Sequence, residues 1–422
     1  MDRGAEMTAA PIDIDEIGER AETMILALGA ISAEPERLVR LFLSPEHRRA
    51  ANLVADWMED AGLSLSEDAL GTVRGHLPGA DPRRLLIGSH IDTVIDAGKY
   101  DGNLGVVAGI LAVDHFSRAG RRLPFSIDVL AFGDEEGSRF TTTLNSSAAV
   151  AGVFNPARLD QADRDGVTLA DALVAYGKNP AQIPAAAYKP GEAVAYVEVH
   201  IEQGPVLEAR NQPLGVVTAI VGQTYFTVEI LGEAGHAGTV PMSLRRDALA
   251  GAAEMIRLAE EMAREQRDVV ATVGRLSVQP NASNVIPSHV VFTLDLRSTS
   301  DASRRRTAER FRAEARAIAE RRHLGITLTQ TRDTPTTLCD PRLQDALASS
   351  VASLGGEPLR LGSGAGHDGQ SLAKLCPIGM LFVRCRGGVS HNPMEYASPR
   401  DMGYAVAALI RFIETFDPNG LA

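Results

Sequence analysis

Residues 85–110 read LLIGSHIDTVIDAGKYDGNLGVVAGI. The first six form a short apolar run of the kind that makes a strand buried on both faces in a parallel sheet. From about residue 103 the spacing turns helical, and the helix is expected to run to about 119. Strand, glycine-containing turn and helix in that order are the repeating unit of an α/β fold. His90 and Asp92 fall where the strand ends, and Asp101 where the helix is about to begin. In open α/β sheets, ligands bind beyond the carboxyl ends of the strands.

The same pattern continues outward. PEHRRAANLVADWMEDA (45–61) puts Leu53, Val54, Trp57, Met58 and Ala61 on one helical stripe. FSIDVLAFG (125–133) and, near 193–202, EAVAYVEVHI read as further strands of the same sheet. After Glu208 the style changes. LGVVTAIV and YFTVEILG are predicted strands, the second alternating Phe226, Val228 and Ile230 on one face. A helix is expected from about Leu244 to Arg267, with Pro241 near its start. TVGRLSV and HVVFTLDLR make a strand pair, followed by a helix at roughly 301–322 and the strand GITLTQT. The order ββαββαβ predicts a ferredoxin-like α+β domain. Beyond about residue 335 the α/β style returns: a helix near 341–354, the strand IGMLFVR (378–384) and a helix near 400–416. The expected organisation is one α/β domain, a sheet flanked by helices, in two pieces (1–212 and 334–422), with a smaller domain inserted at 213–333.

Composition narrows the function classes. A net charge of −12 argues against a nucleic-acid partner, which needs a basic footprint. No apolar stretch is long enough for a transmembrane helix. The start, MDRGAEMTAAPIDIDEIGER, is acidic and lacks a signal peptide's apolar stretch, so a cytoplasmic location is expected. Cys339, Cys376 and Cys385 are scattered without CxxC spacing. Any metal must then be held by histidines and carboxylates.

Those residues gather at strand ends. His90 and Asp92, two apart in an extended segment, can point the same way, and Asp92 can accept a hydrogen bond from a metal-bound imidazole. GDEEGSRF (133–140) sets Asp134, Glu135 and Glu136 side by side. Their mutual repulsion asks for neutralisation, which a divalent cation supplies. VEVHIEQGP carries His200 and Glu202, and GGVSHNPMEY carries His391. Each residue alone has an ordinary reading: a solvated histidine, a turn aspartate at Asp101, a helix N-terminus at 134–136. Only the joint arrangement points to a metal site. His236, in GEAGHAGTVPM, is a turn histidine or a donor to a developing oxyanion. Arg297 is half of a surface ion pair or a bidentate grip on a substrate carboxylate. Asn284 is a loop cap or a substrate hydrogen-bonder. His367 lies in the glycine-rich SGAGHD, which suits close approach to a ligand.

Nine segments in order resemble the hydantoinase/carbamoylase family within the metal-dependent aminoacylase and carboxypeptidase superfamily. They are GSHIDTV, KYDGNLGV, GDEEGSRF, HIEQGPVLE, GHAGTVPMSLRRD, ASNVIP, LDLRS, SGAGHD and VSHNP, spanning about Gly88 to Tyr396. The resemblance implies a di-metal peptidase-like catalytic domain with a mixed sheet and an inserted dimerisation or lid domain. It implies two divalent ions held by His90, Asp101, Glu136, His200 and His391, with Asp101 bridging, Glu135 as general base and Asp92 behind His90. Gln203, His236, Asn284, Arg297 and His367 match substrate-contacting positions. The ligand set is compatible with zinc, manganese or cobalt, and the resemblance favours manganese.

The implied reaction is hydrolysis of a ureido C–N bond in a small ureido-carboxylate. GHAGTVPMSLRRD, ASNVIP and GMLFVRCRGGVSHNP look most like allantoate-cleaving members, whose products are ureidoglycine, ammonia and carbon dioxide. N-carbamoyl-L-amino-acid and N-carbamoyl-β-alanine hydrolysis are the alternatives, and a non-catalytic binding protein on the same fold is the remote one. In relatives the inserted domain builds a homodimer, and the His236 position can serve the neighbouring subunit's site. Gly369, Met394 and the stretch TTTLNSSAAVAG depart from the family pattern and bear on substrate choice.

Overall fold

The structure, a computed structural model, describes residues 12–421. The expectation about the chain's first residues therefore lies largely outside the described residues. The early strands are β1 (Ser64–Glu67), β2 (Val73–Leu77), β3 (Asp81–His90), β4 (Phe125–Phe132), β5 (Ala193–Ile201) and β6 (Leu214–Ile220). The middle of the chain supplies β7 (Gly222–Leu231), β8 (Val269–Thr272), β9 (Leu276–Gln279), β10 (His289–Ser298) and β11 (Gly325–Thr334). The last strands are β12 (Thr337–Leu338), β13 (Leu359–Ser363) and β14 (Ile378–Val383). The longer helices are α1 (Ile14–Gly29), α2 (Pro45–Asp60), α3 (Asn103–Arg118), α4 (Ala248–Arg264), α5 (Asp301–Arg321), α6 (Pro341–Ser353) and α7 (Pro399–Thr415).

The chain forms two compact units. The first holds the chain up to Thr218, Leu338–Leu361 and everything from Gly366 on; the second holds Ala219–Thr337 and Gly362–Ala365. Among the described residues, the first unit is built on a nine-stranded sheet of order β1-β2-β4-β3-β5-β14-β6-β12, with β13 on β6. β4, β3, β5 and β14 run parallel. β4 and β14 are buried at every position, as their continuous apolar sequences require. The helices α1, α2, α3, α6 and α7 contribute to one core with them, including Ile25, Val54, Val107, Leu347 and Leu409. Parallel register aligns the carboxyl ends. His90 lies level with Phe132, and Phe382 level with His200.

The second unit has sheet order β11-β7-β10-β8, with β9 also on β10, all pairings antiparallel. With α4 after β7 and α5 after β10, this is the split β-α-β arrangement of a ferredoxin-like fold. β7 and β10 alternate strictly between buried and half-exposed positions. Phe226, Val228, Ile230, Val290, Phe292 and Leu294 face the helices, packing on Met255 and Phe311. One detail differs from the sequence reading. LGVVTAIV was expected within the inserted domain, whereas β6 joins the larger sheet, antiparallel to β14 through Val216 and Leu381. The reason is its composition: it is apolar on both faces, which suits a doubly covered sheet and not one with a half-exposed face. No described helix is long and apolar enough to cross a membrane.

Candidate metal centre

The first unit brings nine of the singled-out side chains to the carboxyl end of its sheet. His90 closes β3, and His200 is the penultimate residue of β5. Asp101 sits at the turn into α3, next to Gly102 at φ +67°. A Cβ at Gly102 would lie 2.4 Å from the His90 ring, so the turn can approach that imidazole only as glycine. Asp101 Oδ1 lies 3.4 Å from His90 Nε2 and 3.1 Å from His200 Nε2. Its other oxygen, Oδ2, lies 3.5 Å from His391 Nε2, and His391 Nε2 lies 3.5 Å from Glu136 Oε2. Two groups, His90–Asp101–His200 and Asp101–Glu136–His391, thus share one carboxylate, and each is compact enough to hold a cation.

The tautomers support that reading. His200 Nδ1 lies 2.9 Å from the Ile201 carbonyl, and His90 Nδ1 lies 3.2 Å from the Asp92 carbonyl. A carbonyl only accepts, so both Nδ1 atoms carry a proton and each ring turns its Nε2 toward Asp101. An Nε2 this close to a carboxylate needs a positive charge between them, a proton or a cation. His90 Nε2 is buried without a hydrogen-bond partner. Two ligand atoms each about 2.1 Å from a tetrahedral ion stand about 3.4 Å apart, which is the spacing seen here.

Electrostatics at the centre is set by burial and by crowding of acids. Burial works against the Asp101 carboxylate, yet His200, His391 and His90 hold it well below the usual range. Burial lifts Glu135 well above its ordinary value, with Glu136, Asp368 and Asp92 adding to the effect. Burial, then Asp101, pushes Glu136 up to about 7. Glu135 Oε2 lies 3.9 Å from His90 Nε2.

Asp92 does more than its spacing suggested. It lies 3.4 Å from His90 Nδ1, and its oxygens also accept the backbone N–H groups of Glu135 (3.1 Å) and Glu136 (3.3 Å). One carboxylate therefore orients a histidine and the acidic loop together. Asp134 behaves differently from its neighbours. It turns away and accepts the N–H groups of Asn145 and Ser146 and the Asn145 amide.

Two contributors, Glu198 and Arg40, carried no signal in the sequence. Glu198, fully buried two residues before His200, accepts from Ser89 Oγ, Tyr196 OH and the Gly369 N–H. With His200 and His367 it forms another group compact enough for a cation. His367 is buried edge-on to the His200 ring, with centroids 4.5 Å apart, and burial drives its pKa well down. Arg40 is fully buried. It donates to the carbonyls of Ile91 and Leu28 and to Asn103 Oδ1, tying the end of β3 to the start of α3. Only three-dimensional contact reveals these partners. Gln203, expected at the substrate, donates to Asp101 Oδ2 at 2.7 Å and lies 3.4 Å from His391 Nε2.

The remaining singled-out residues belong to the second unit. His236 and Asn284 are exposed and adjacent: His236 bridges to Val285, and the Ala237 N–H donates to the Asn284 carbonyl. Arg297 is taken up by its own sheet. It makes a fork with Asp295 and donates to Tyr225 OH (3.0 Å) and to the Gly364 carbonyl (2.7 Å). The ion-pair reading of Arg297 is therefore the observed one here, and a bidentate grip requires it to release Asp295. The His236–Asn284 pair lies toward the His289 end of β10. Arg297 is eight residues along from His289, about 26 Å at the usual strand rise.

The sequence profile of Peptidase family M20/M25/M40 matches residues 86–415. The chain belongs to this family. It is 41% identical to an allantoate deiminase of Arabidopsis thaliana, covering 94% of this chain and 82% of the relative. It is 42% identical to an N-carbamoyl-L-amino acid amidohydrolase of Geobacillus stearothermophilus, covering 93% and 97%. A solved amidase of the hydantoinase/carbamoylase family from Burkholderia multivorans superposes with a TM-score of 0.89 at 32% identity, covering 94% of this chain and 97% of that one.

As a hydantoinase/carbamoylase member of the M20 family, the chain is a hydrolase of C–N bonds. Its two departures in the centre fall differently. Gly369 is buried, with its N–H on Glu198. Met394 is two-thirds exposed, three residues beyond His391.

Proposed function

We propose that this amidohydrolase cleaves the ureido C–N bond of allantoate, giving ureidoglycine, ammonia and carbon dioxide. The observation that carries the reading is the Asp101 carboxylate shared between a two-histidine group and the Glu136–His391 group, with Glu135 alongside. His90, Asp101 and His200 would hold one divalent ion and Asp101, Glu136 and His391 a second, manganese being preferred over zinc or cobalt. Such ions lower the pKa of water and polarise the scissile carbonyl. Glu135 takes the proton of the attacking water and returns it to the leaving nitrogen. Its burial favours that role, since an easily protonated carboxylate is the better shuttle. His236 donates to the developing oxyanion, and Arg297 binds the substrate carboxylate with Gln203, Asn284 and His367 as further contacts. The separation of Arg297 from the His236–Asn284 pair along β10 supports a homodimer in which His236 serves the partner's site.

The second reading is the same chemistry on N-carbamoyl-L-amino acids, favoured by the full-length likeness to the Geobacillus enzyme. The test is turnover of chelated enzyme reconstituted with manganese, zinc or cobalt, on allantoate, N-carbamoyl-L-amino acids and dipeptides. The expected result is fastest ammonia release from allantoate with manganese. Tenfold or faster release from carbamoyl substrates would move the assignment to the second reading. Equal activity without any metal would remove both.

A further inference from the structure

The two loops that carry Asp101 and His391 are joined by Glu395, which lies four residues beyond His391 and is 5% exposed. Its Oε1 accepts the backbone N–H groups of Tyr100 (2.8 Å) and Asp101 (3.1 Å). Its Oε2 accepts Ser390 Oγ at 2.9 Å, and Ser390 Oγ lies 2.7 Å from Asp101 Oδ2. Gly98 packs so closely that a Cβ there would stand 2.2 Å from Glu395 Cδ. A buried carboxylate therefore clasps one loop to the other.

The need for a clasp differs between the two groups of ligands. His90 and His200 are strand residues, fixed by the ladders of β3 and β5. Asp101 is also braced by the turn into α3, where the Asn103 N–H donates to its carbonyl at 2.7 Å. His391 has no ladder. It sits in a turn at φ +53° with its side chain half exposed. A non-glycine residue there is strained by about 1–3 kcal/mol and persists only where its surroundings impose the conformation. We propose that Glu395 is a positioning residue that imposes it, so that the Asp101–Glu136–His391 ion position depends on Glu395 while the His90–Asp101–His200 position does not. This inference rests on the two-ion reading above.

The test uses the full chain as wild type, Glu395→Ala, Glu395→Gln and Ser390→Ala. Cobalt(II) binding is followed by visible absorption and by metal content after desalting. Wild type is expected to take two ions. Glu395→Ala is expected to keep the first ion's affinity and spectrum, and to bind the second about 10- to 100-fold more weakly. Glu395→Gln restores most of that loss, because its amide carbonyl still accepts both N–H groups and its NH2 can face Ser390. Wild-type affinity for both ions in Glu395→Ala overturns the inference, as does equal weakening of both. If Glu395→Ala does not fold, Ser390→Ala decides alone: a selective loss at the second ion supports the clasp, and none overturns it. A wild-type chain that binds fewer than two ions instead overturns the two-ion reading, and the inference falls with it.

Discussion

Two regions of the molecule hold the residues singled out for chemistry, and they are built on opposite principles. At the sheet end of the first unit the side chains are mostly buried, crowded with like charge and satisfied through one another. Asp101 alone faces three imidazoles. In the second unit His236 and Asn284 are exposed, and Arg297 is already paired with Asp295 on its own strand. A crowded buried cluster is an arrangement that stability alone does not favour, because burying unpaired charge costs free energy. The dispersed set costs little.

The largest effect should come from breaking the buried region at its proposed proton carrier. Glu135→Gln is expected to lower kcat by about 10²- to 10⁴-fold with metal content unchanged, read by steady-state turnover and elemental analysis. Undiminished hydrolysis would remove Glu135 from the mechanism. In the dispersed region, His236→Ala should cost about 10²- to 10³-fold in kcat without metal loss. Mixing it with Glu135→Gln should regain activity if the two groups act across a dimer, and a mixture as inactive as its parts would confine each site to one chain. Arg297→Leu should raise KM by about 10- to 100-fold for a carboxylate substrate, the weight of a charge-assisted hydrogen bond, with a smaller change in kcat. An unaltered KM would leave Arg297 as the partner of Asp295 only.

The smallest effect concerns stability beside the buried region. His47 packs against Phe42 and under Gly133, which opens the acidic loop. Burial pulls its pKa down to about 3. Its folded pKa lies below the unfolded value, so the neutral ring's contribution is fully present above about pH 6.5. It is lost as pH falls from there toward 3, by at most about 1.4 kcal/mol per pH unit. Urea titrations between pH 7 and 5 should show a shallower acid loss in His47→Gln than in wild type. Parallel curves would assign the acid response to other groups.

Much of the fold could be read from the sequence because its periods differ by environment. The unbroken apolar runs of β4 and β14 need two covered faces, and the alternation of β7 and β10 needs one. β6 was misplaced because an apolar run names its environment but not its partner. The strand-end residues were legible for the same reason: parallel strands of similar length end together. Glu395 and Arg40 were not. Their partners lie far along the chain, Tyr100 and Asn103 respectively, and a lone Glu in a loop or Arg before a helix has no local mark of burial. Asp134 was grouped with its neighbours because adjacency in sequence looks like adjacency in space. Asp134 is instead taken up by Asn145 and Ser146.

The position of β14 bears on how the protein is made. It lies between β5 and β6, both synthesised long before it. Until it arrives, the outer edge of β5 is unpaired, the kind of edge that recruits foreign strands. His391 lies beyond that strand, so the Asp101–Glu136–His391 group is completed only after it has emerged. A ribosome stalled within the inserted segment would hold a sheet with an open edge at β5, and chaperone demand should fall once residues 378–383 have emerged.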